Sequence, residues 1–193
     1  MGEIKFSVVI PTYNRCQVLI SSIKTVLRQN YSNFELIISD NHSTDNTDEY
    51  IQSLDDNRLV YTKPDRHCCM AMNWEHGISI AQGDYIFVLG DDDGLVEGAL
   101  SAVAKIIDAH PTKAICWKKS NYDWPDSASK PNAARVNTKK KRYRLKSKLA
   151  LYLLAKGYSH YSYLPSLYNS FIHKEIIENI KAKSEKLVFF GSN

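Results

Sequence analysis

The sequence predicts an α/β fold, a three-layer α/β/α sandwich around a mostly parallel central sheet. Three observations predict it. Short apolar runs alternate with helical patterns as far as Trp117, which is the mark of crossover units. The apolar runs end in polar, turn-forming clusters rich in Asp, Asn, Ser and Thr. The length, 193 residues, suits one large domain able to bury a substantial core.

The elements follow in order. Phe6 to Ile10 reads as a buried strand that stops at Pro11, because proline cannot donate to a sheet ladder. Val18, Leu19, Ile23, Val26 and Leu27 recur at helical spacing. Phe34 to Ser39 is a second strand, and the polar cluster after it suits a turn and a helix start running to about Leu54. Leu59 to Tyr61 is a short third strand. Met70, Trp74, Gly77, Ile78 and Ala81 mark a helix face closed by Gly83. Tyr85 to Leu89 is a fourth strand. Leu95, Val96, Ala99, Leu100, Val103, Ile106 and Ile107 give an amphipathic helix that ends before Pro111, and Ala114 to Trp117 is strand-like. Beyond Lys118 the character changes. Residues Asn121 to Asn137 read as a long loop, of a length that usually serves a site. A helix from Leu145 to Ala155, an aromatic-rich segment from Tyr158 to Tyr168, a strand near Leu167 to Ile172 and a helix near Lys174 to Ala182 complete the chain.

Composition narrows the class. A hydrophobic content of 44% and a charged content of 24% disfavour disorder and disulfide-rich scaffolds. No run approaches the roughly 20 apolar residues a membrane span needs. The N-terminus lacks a signal-peptide pattern, and Phe6 stands where a myristoylation signal needs Ser or Thr, so the cytoplasm is the expected compartment. Cys16, Cys68, Cys69 and Cys116 lack metal-site spacing and read as idle or buried thiols. The net charge of +4 is modest, but seven of the 25 basic residues lie between Lys139 and Lys148. Such a run suits phosphates of nucleic acid, membrane lipid or a polyanionic acceptor, or simply a solvated loop.

In open α/β sheets ligands collect beyond the carboxyl ends of the strands. Three polar constellations fall there: Pro11-Thr12-Tyr13-Asn14-Arg15, Asp40, and Asp91-Asp92-Asp93. Three consecutive carboxylates repel one another unless water or a cation screens them. Mg²⁺ and Mn²⁺ bind through one or two carboxylates together with substrate phosphate oxygens. The triplet also suits the positive end of the helix expected from Leu95. No glycine-rich phosphate loop follows the first strand, so phosphates must be met by a metal and side chains.

These segments carry a family resemblance. Ser7-Val8-Val9-Ile10-Pro11-Thr12-Tyr13-Asn14-Arg15, Phe34 to Asp45, and Gly83 to Asp93 resemble, in order and spacing, the signatures of family-two glycosyltransferases of the glycosyltransferase A fold. The resemblance covers roughly the first 120 residues. It implies an enzyme that moves a sugar from a nucleoside-diphosphate donor, UDP above all, to a saccharide or lipid-linked acceptor, inverting and dependent on Mn²⁺ or Mg²⁺.

Residue by residue, it implies that Pro11, Thr12 and Tyr13 line the base and ribose pocket, with Tyr13 packed on the base. Asp40 would accept a hydrogen bond from the base, Asp91 would sit by the ribose, and Asp92 would hold the metal. Asn73 would face the donor, and Arg66 either reaches the diphosphate or stays in solvent. Residues 1–118 would form the donor half and 119–193 an acceptor-side region, with peripheral membrane contact through Lys139–Lys148 and no nucleic-acid partner. Two departures stand out. Gly90 replaces the first Asp of the usual metal motif, and no acidic residue matches the general base, with Glu175, Glu178 and Glu185 on a helix and its exit. An N-terminal fragment is therefore the expectation. A sugar nucleotidyltransferase and a non-catalytic sugar-nucleotide or polyanion binder are the alternatives.

Overall fold

The computed structural model describes residues 3–117, 120–123, 134–135, 146–158 and 168–183. Its elements run β1 (Phe6–Thr12), α1 (Cys16–Leu27), β2 (Phe34–Asp40), α2 (Thr47–Gln52), β3 (Leu59–Thr62), α3 (Met70–Ile80), β4 (Tyr85–Val88) and α4 (Ala99–Ala109). They continue with β5 (Ala114–Cys116), β6 (Asn121–Tyr122), β7 (Ala134–Arg135), α5 (Ser147–Ala155), β8 (Ser170–His173) and α6 (Lys174–Lys181). The six-stranded sheet has the order β3-β2-β1-β4-β8-β5. β1 pairs in parallel with β2 and β4, and β2 with β3. β8 enters antiparallel to β4, so the sheet is mixed but mostly parallel. The expected α/β architecture is present, with helices flanking the sheet.

The chain divides between Ile115 and Cys116 and again between Ser170 and Phe171 into two units. The first holds β1 to β4 and α1 to α4. In it Phe6, Val8, Val9 and Ile10 are fully buried, so both faces of β1 are covered. Each such side chain contributes about 1.5–3 kcal/mol on burial. α1 turns Leu19, Ile23 and Val26 into this core at helical spacing. α3 approaches the sheet at Gly77, where a Cβ would lie 2.6 Å from Val9 Cγ1, a distance only glycine permits.

Several boundaries differ from the sequence reading, each for a physical reason. β1 continues through Pro11 to Thr12. The N–H of Phe6 points to β2, so that of residue 11 would point to β4, and pairing on that side ends at Val9. No ladder bond is lost to the proline. Gly83 does not close α3, which ends at Ile80. Its part is close packing, since a Cβ there would sit 2.6 Å from the backbone nitrogen of Ser7.

The helix expected from Leu95 begins at Ala99, because Gly98 takes φ +74°, a left-handed value. Leu95 N–H instead bonds Thr25 Oγ1, and Val96 carbonyl accepts from Gln29. The aspartate triplet therefore does not sit at a helix N-terminus, as the sequence had suggested. Within 121–137, read as loop, β6 and β7 pair antiparallel. Residues Lys139 to Arg142, Arg144, most of the aromatic segment and Glu185 lie outside the described residues.

Candidate functional site

The loops after β1, β2, β3 and β4 meet at the carboxyl edge of the sheet, inside the first unit. They are tied to one another by specific bonds. Asn41 N–H donates to Thr12 carbonyl at 3.0 Å, joining the exits of β1 and β2. Asn14, at φ 53°, accepts from Thr44 N–H at 2.7 Å and donates its own N–H to Ser43. Asp45 accepts from the N–H of Cys16, the first residue of α1, and from Thr47 N–H and Oγ1 at the start of α2. One carboxylate thus satisfies orphan donors at two helix starts. Burial opposes its charge, but these bonds hold the Asp45 carboxyl below the usual range.

The segment after β3 is fastened to the same loops. Asn41 Nδ2 donates to Cys68 carbonyl and its Oδ1 accepts from Cys68 N–H. His42, at φ 62°, bonds Pro64 carbonyl at 2.7 Å through Nε2. His67 Nδ1 bonds Asn41 carbonyl at 3.0 Å, and its ring lies 4.7 Å from that of Tyr13. Tyr13, 45% exposed, and His67 form an aromatic ledge beside the buried Thr12.

Next to the ledge stand the carboxylates. Asp91 is buried, and its Oδ2 accepts from Thr12 Oγ1 at 3.0 Å. Arg15 donates from Nη1 to Asp91 at 2.8 Å and from Nη2 to the half-exposed Asp92 at 2.7 Å. Burial pushes the Asp91 carboxyl up, and the charge of Asp92 adds to this, while Thr12 and Arg15 oppose it. α1 fixes the backbone here through Ser22, whose hydroxyl bonds Asp91 carbonyl at 2.7 Å. Ser22 and Thr25 on α1, with Gln29 just past its end, form a polar stripe that holds the 91–100 segment in place.

The expected site residues come together, with differing freedom. Pro11, Thr12, Tyr13, Asp40, Asp91 and Asp92 all reach this edge. Asp40 is fully buried: Oδ1 accepts from Ser43 N–H and Oγ, and Oδ2 from Tyr61 hydroxyl at 2.6 Å. Lys63 Nζ stands 3.7 Å from Oδ2. The three hydrogen bonds leave room on Oδ2 for a fourth, but with no exposed surface the carboxylate meets a base only if the residues covering it move aside. Asn73 is also buried, with its amide locked to Ser39 through Oδ1 and Nδ2. Arg66 is exposed.

Sequence reasoning passed over the roles of Arg15, Tyr61, Asp45 and His67. Only for Arg15 was there a signal, a cation in the loop that faces three carboxylates across the sheet edge. Tyr61 is raised above the ordinary tyrosine range by burial and by Asp40, a pairing set only when β3 lies beside β2.

Glu175 lies at the other edge of the sheet. Lys174 N–H bonds the carbonyl of Asp84, which precedes β4, and Glu175 pairs with Lys113 at 2.5 Å. Asp91 follows β4 at its far end, roughly 20 Å along the strand direction. Lys113 and its hydrogen bond hold the Glu175 carboxyl below the usual range.

Asp92 with Asp91 suits a hard divalent cation in donor type, since carboxylate oxygens are what Mg²⁺ and Mn²⁺ prefer. Among the described residues no group of three or more His, Cys, Asp or Glu gathers into a cage. A cation here would thus complete its shell with ligand phosphate oxygens and water.

Comparison with known proteins bears directly on this edge. The sequence profile described as Glycosyl transferase family 2 matches residues 7–177. The chain belongs to that family. It is 36% identical over 102 residues to a GalNAc(5)-diNAcBac-PP-undecaprenol beta-1,3-glucosyltransferase of Campylobacter jejuni, covering 51% of this chain and 33% of that protein. Among solved structures, Staphylococcus aureus TarS 1–349 in complex with UDP-GlcNAc superposes with a TM-score of 0.54 at 23% identity, over 57% of this chain and 33% of that one. A mannosyltransferase from Pyrobaculum calidifontis, in complex with GDP-Man and Mn²⁺, superposes with a TM-score of 0.52 at 21% identity, over 61% and 36%. These two share the fold. The chain spans about a third to a half of the length of the curated relatives it matches.

Proposed function

We propose that the chain binds the diphosphate nucleotide of a sugar donor at the carboxyl edge of its sheet and supports sugar transfer to a saccharide or lipid-linked hydroxyl. The observation that carries this reading is the meeting of an aromatic ledge, Tyr13 with His67, and a carboxylate pair, Asp91 with Asp92, on loops that other residues hold fixed. Pro11, Thr12 and Tyr13 line the pocket for base and ribose, and UDP is the expected nucleotide. Asp40 and Asn73 brace the pocket from beneath, and Asp40 takes the base contact when the residues covering it move aside. Asp91 stands by the ribose and Asp92 holds Mn²⁺ or Mg²⁺, a role for which it is the more exposed of the two. The cation, when bound, neutralises charge on the departing diphosphate.

The transfer itself inverts the anomeric centre. A carboxylate base takes the acceptor proton as the acceptor oxygen attacks the anomeric carbon and the diphosphate leaves. The Campylobacter relative, named as a glucosyltransferase on an undecaprenol-linked substrate, supports a hexose donor and a lipid-linked acceptor.

A lipid-linked acceptor agrees with the charge distribution. Between residues 127 and 174 there are eleven Lys or Arg and no Asp or Glu. α5 lies in this stretch and exposes Leu149, Leu151 and Tyr152 beside Lys148 and Lys156. Peripheral contact with an anionic membrane face, cytoplasmic in this reading, follows from that pattern.

The test is calorimetry of the chain and of Asp92→Asn with UDP and CDP in the presence and absence of Mn²⁺. Nucleotide binding that strengthens with Mn²⁺ and weakens in Asp92→Asn is expected. Equal affinity in both proteins, or binding indifferent to metal, overturns the assignment of Asp92.

A further inference from the structure

We propose that Lys63 is a positioning residue of the donor site, whose ammonium holds Asp40 in its charged form and so makes this buried carboxylate an acceptor for a ring N–H of the base. This rests on the reading above, in which Asp40 meets the base, and it names the side chain that gives that contact its preference.

Burial sets the problem. The Asp40 side chain has no exposed surface. A carboxylate taken out of water is costly unless an opposite charge stands beside it, and without one it takes up a proton. Ser43 N–H, Ser43 Oγ and the Tyr61 hydroxyl give Asp40 hydrogen bonds but no charge. Burial, the bond to Asp40 and the charges of Asp40 and Asp48 push the Tyr61 hydroxyl well above the ordinary tyrosine range. It therefore keeps its hydrogen and donates it to Asp40 at 2.6 Å.

Lys63 supplies the charge. Among the described residues it is the one cation within ion-pair reach of Asp40, with Nζ 3.7 Å from Oδ2. The ammonium is fixed from its other side, 3.2 Å from Asp48 of α2 and 5.4 Å from the ring centre of Tyr61. Its side chain is only 31% exposed, so the attraction is screened less than between two surface groups. Lys63 directly follows β3, whose pairing with β2 sets Thr62 opposite Ser39. Neighbouring strand ends thus deliver the pair. The groups set against Asp40 are Tyr61 and Lys63 from the end of β3, with Asp48 of α2 behind them. Ser43, and Thr12 opposite Asp40 on β1, carry no charge.

The charge of Asp40 decides which base it can read. As a carboxylate it only accepts, which suits uracil with its N–H at N3. With a proton it offers an O–H, which suits cytosine, whose N3 is a bare acceptor. Lys63 therefore selects the base through Asp40.

Calorimetry with UDP and CDP between about pH 8 and about pH 5.5 tests the proposal. The diphosphate is common to both nucleotides, so its own titration cancels in the ratio of affinities. The unmutated chain is expected to prefer UDP by about tenfold or more across the range, the worth of one hydrogen bond to a charged group. In Lys63→Met that preference should shrink as pH falls and vanish at the acid end. Lys63→Arg keeps the charge and should restore the preference. Asp48→Asn loosens α2 but leaves the ammonium beside Asp40, and should keep the preference too. A UDP-to-CDP ratio in Lys63→Met that stays at the unmutated value throughout overturns the proposal. A loss in Asp48→Asn as large as that in Lys63→Met assigns Lys63 to fastening α2 and overturns it as well. Equal binding of UDP and CDP by the unmutated chain removes the reading of Asp40 and the proposal with it, and binding of neither removes the donor site itself.

Discussion

The guanidinium of Arg15 bridges Asp91 and Asp92, donating from Nη1 to one carboxylate at 2.8 Å and from Nη2 to the other at 2.7 Å. Adjacent carboxylates repel, and here a side chain of the protein supplies the opposing charge. Arg15 thus occupies the face of the aspartate pair that a divalent cation would also seek. Removing it should expose that competition. Arg15→Gln is expected to lower stability by about 1–3 kcal/mol, since bonds to charged groups of the Asp91–Asp92 pair are lost. Mn²⁺ should then raise the Tm of the variant more than that of the unmutated chain, because binding to the folded state stabilises it. Equal shifts in melting experiments would separate Arg15 from the metal site.

Asp40 takes part in stability whatever its role toward a base. Its carboxylate is the shared acceptor for Ser43 N–H, Ser43 Oγ and Tyr61 hydroxyl. Asp40→Ala strands those donors and should cost about 1–3 kcal/mol. Urea denaturation checks this, and a midpoint unchanged from the unmutated chain would mean that water replaces the carboxylate without loss.

Gly83 is a packing constraint at the amino edge. A Cβ there would meet Ser7 N and Oγ at 2.6 Å and Phe6 carbonyl carbon at 2.8 Å. Two of the three atoms are backbone of a central strand, which cannot yield cheaply. Gly83→Ala should destabilise by about 1–3 kcal/mol, as overpacking does. Thermal unfolding gives the answer, and a Tm within a degree of the unmutated value would show that β1 yields.

The acid limb of the stability curve should depend on Glu35. Burial alone would raise this carboxyl, but bonds from Ser7, Gln82 N–H and Lys5 outweigh it and hold it below the ordinary range. A carboxyl lowered in the folded state contributes stability that is complete above its unfolded value, about 4.3. That contribution is lost as pH falls through the folded value. Glu35→Gln should therefore flatten the loss of stability below about pH 4.3. Denaturant titrations from pH 7 to pH 3 measure the slope, and parallel curves for the two proteins would count against Glu35.

The basic stretch should bind anionic lipid. Replacing Lys139, Lys140, Lys141 and Arg142 with Ser should reduce binding to vesicles containing phosphatidylserine by roughly 1 kcal/mol per charge removed. UDP binding should not change. Vesicle sedimentation at low salt that detects neither protein would leave this stretch a solvated segment.

The sequence by itself determined the fold class and the edge on which the site forms. The apolar runs at Phe6–Ile10, Phe34–Ser39 and Tyr85–Leu89 are set by burial on both faces, a local property that needs no partner to be legible. Because polar clusters follow those runs, Thr12, Tyr13, Asp40, Asp91 and Asp92 were bound to share one edge once the strands were parallel.

What only the tertiary structure decided is how free each of those groups is. Asp40 and Asp91 look alike in the sequence, yet one is enclosed by Ser43 and Tyr61 and the other is shared between Thr12 and Arg15. Arg15 and Asp91 stand 76 residues apart, and no periodicity records such a pair. The start of α4 depended likewise on Thr25 in α1 and Gln29 just beyond it, whose side chains bond Leu95 N–H and Val96 carbonyl and hold the segment before Gly98 against α1. Side-chain bonds between distant loops, made only when the sheet has formed, fix the chemistry of this edge.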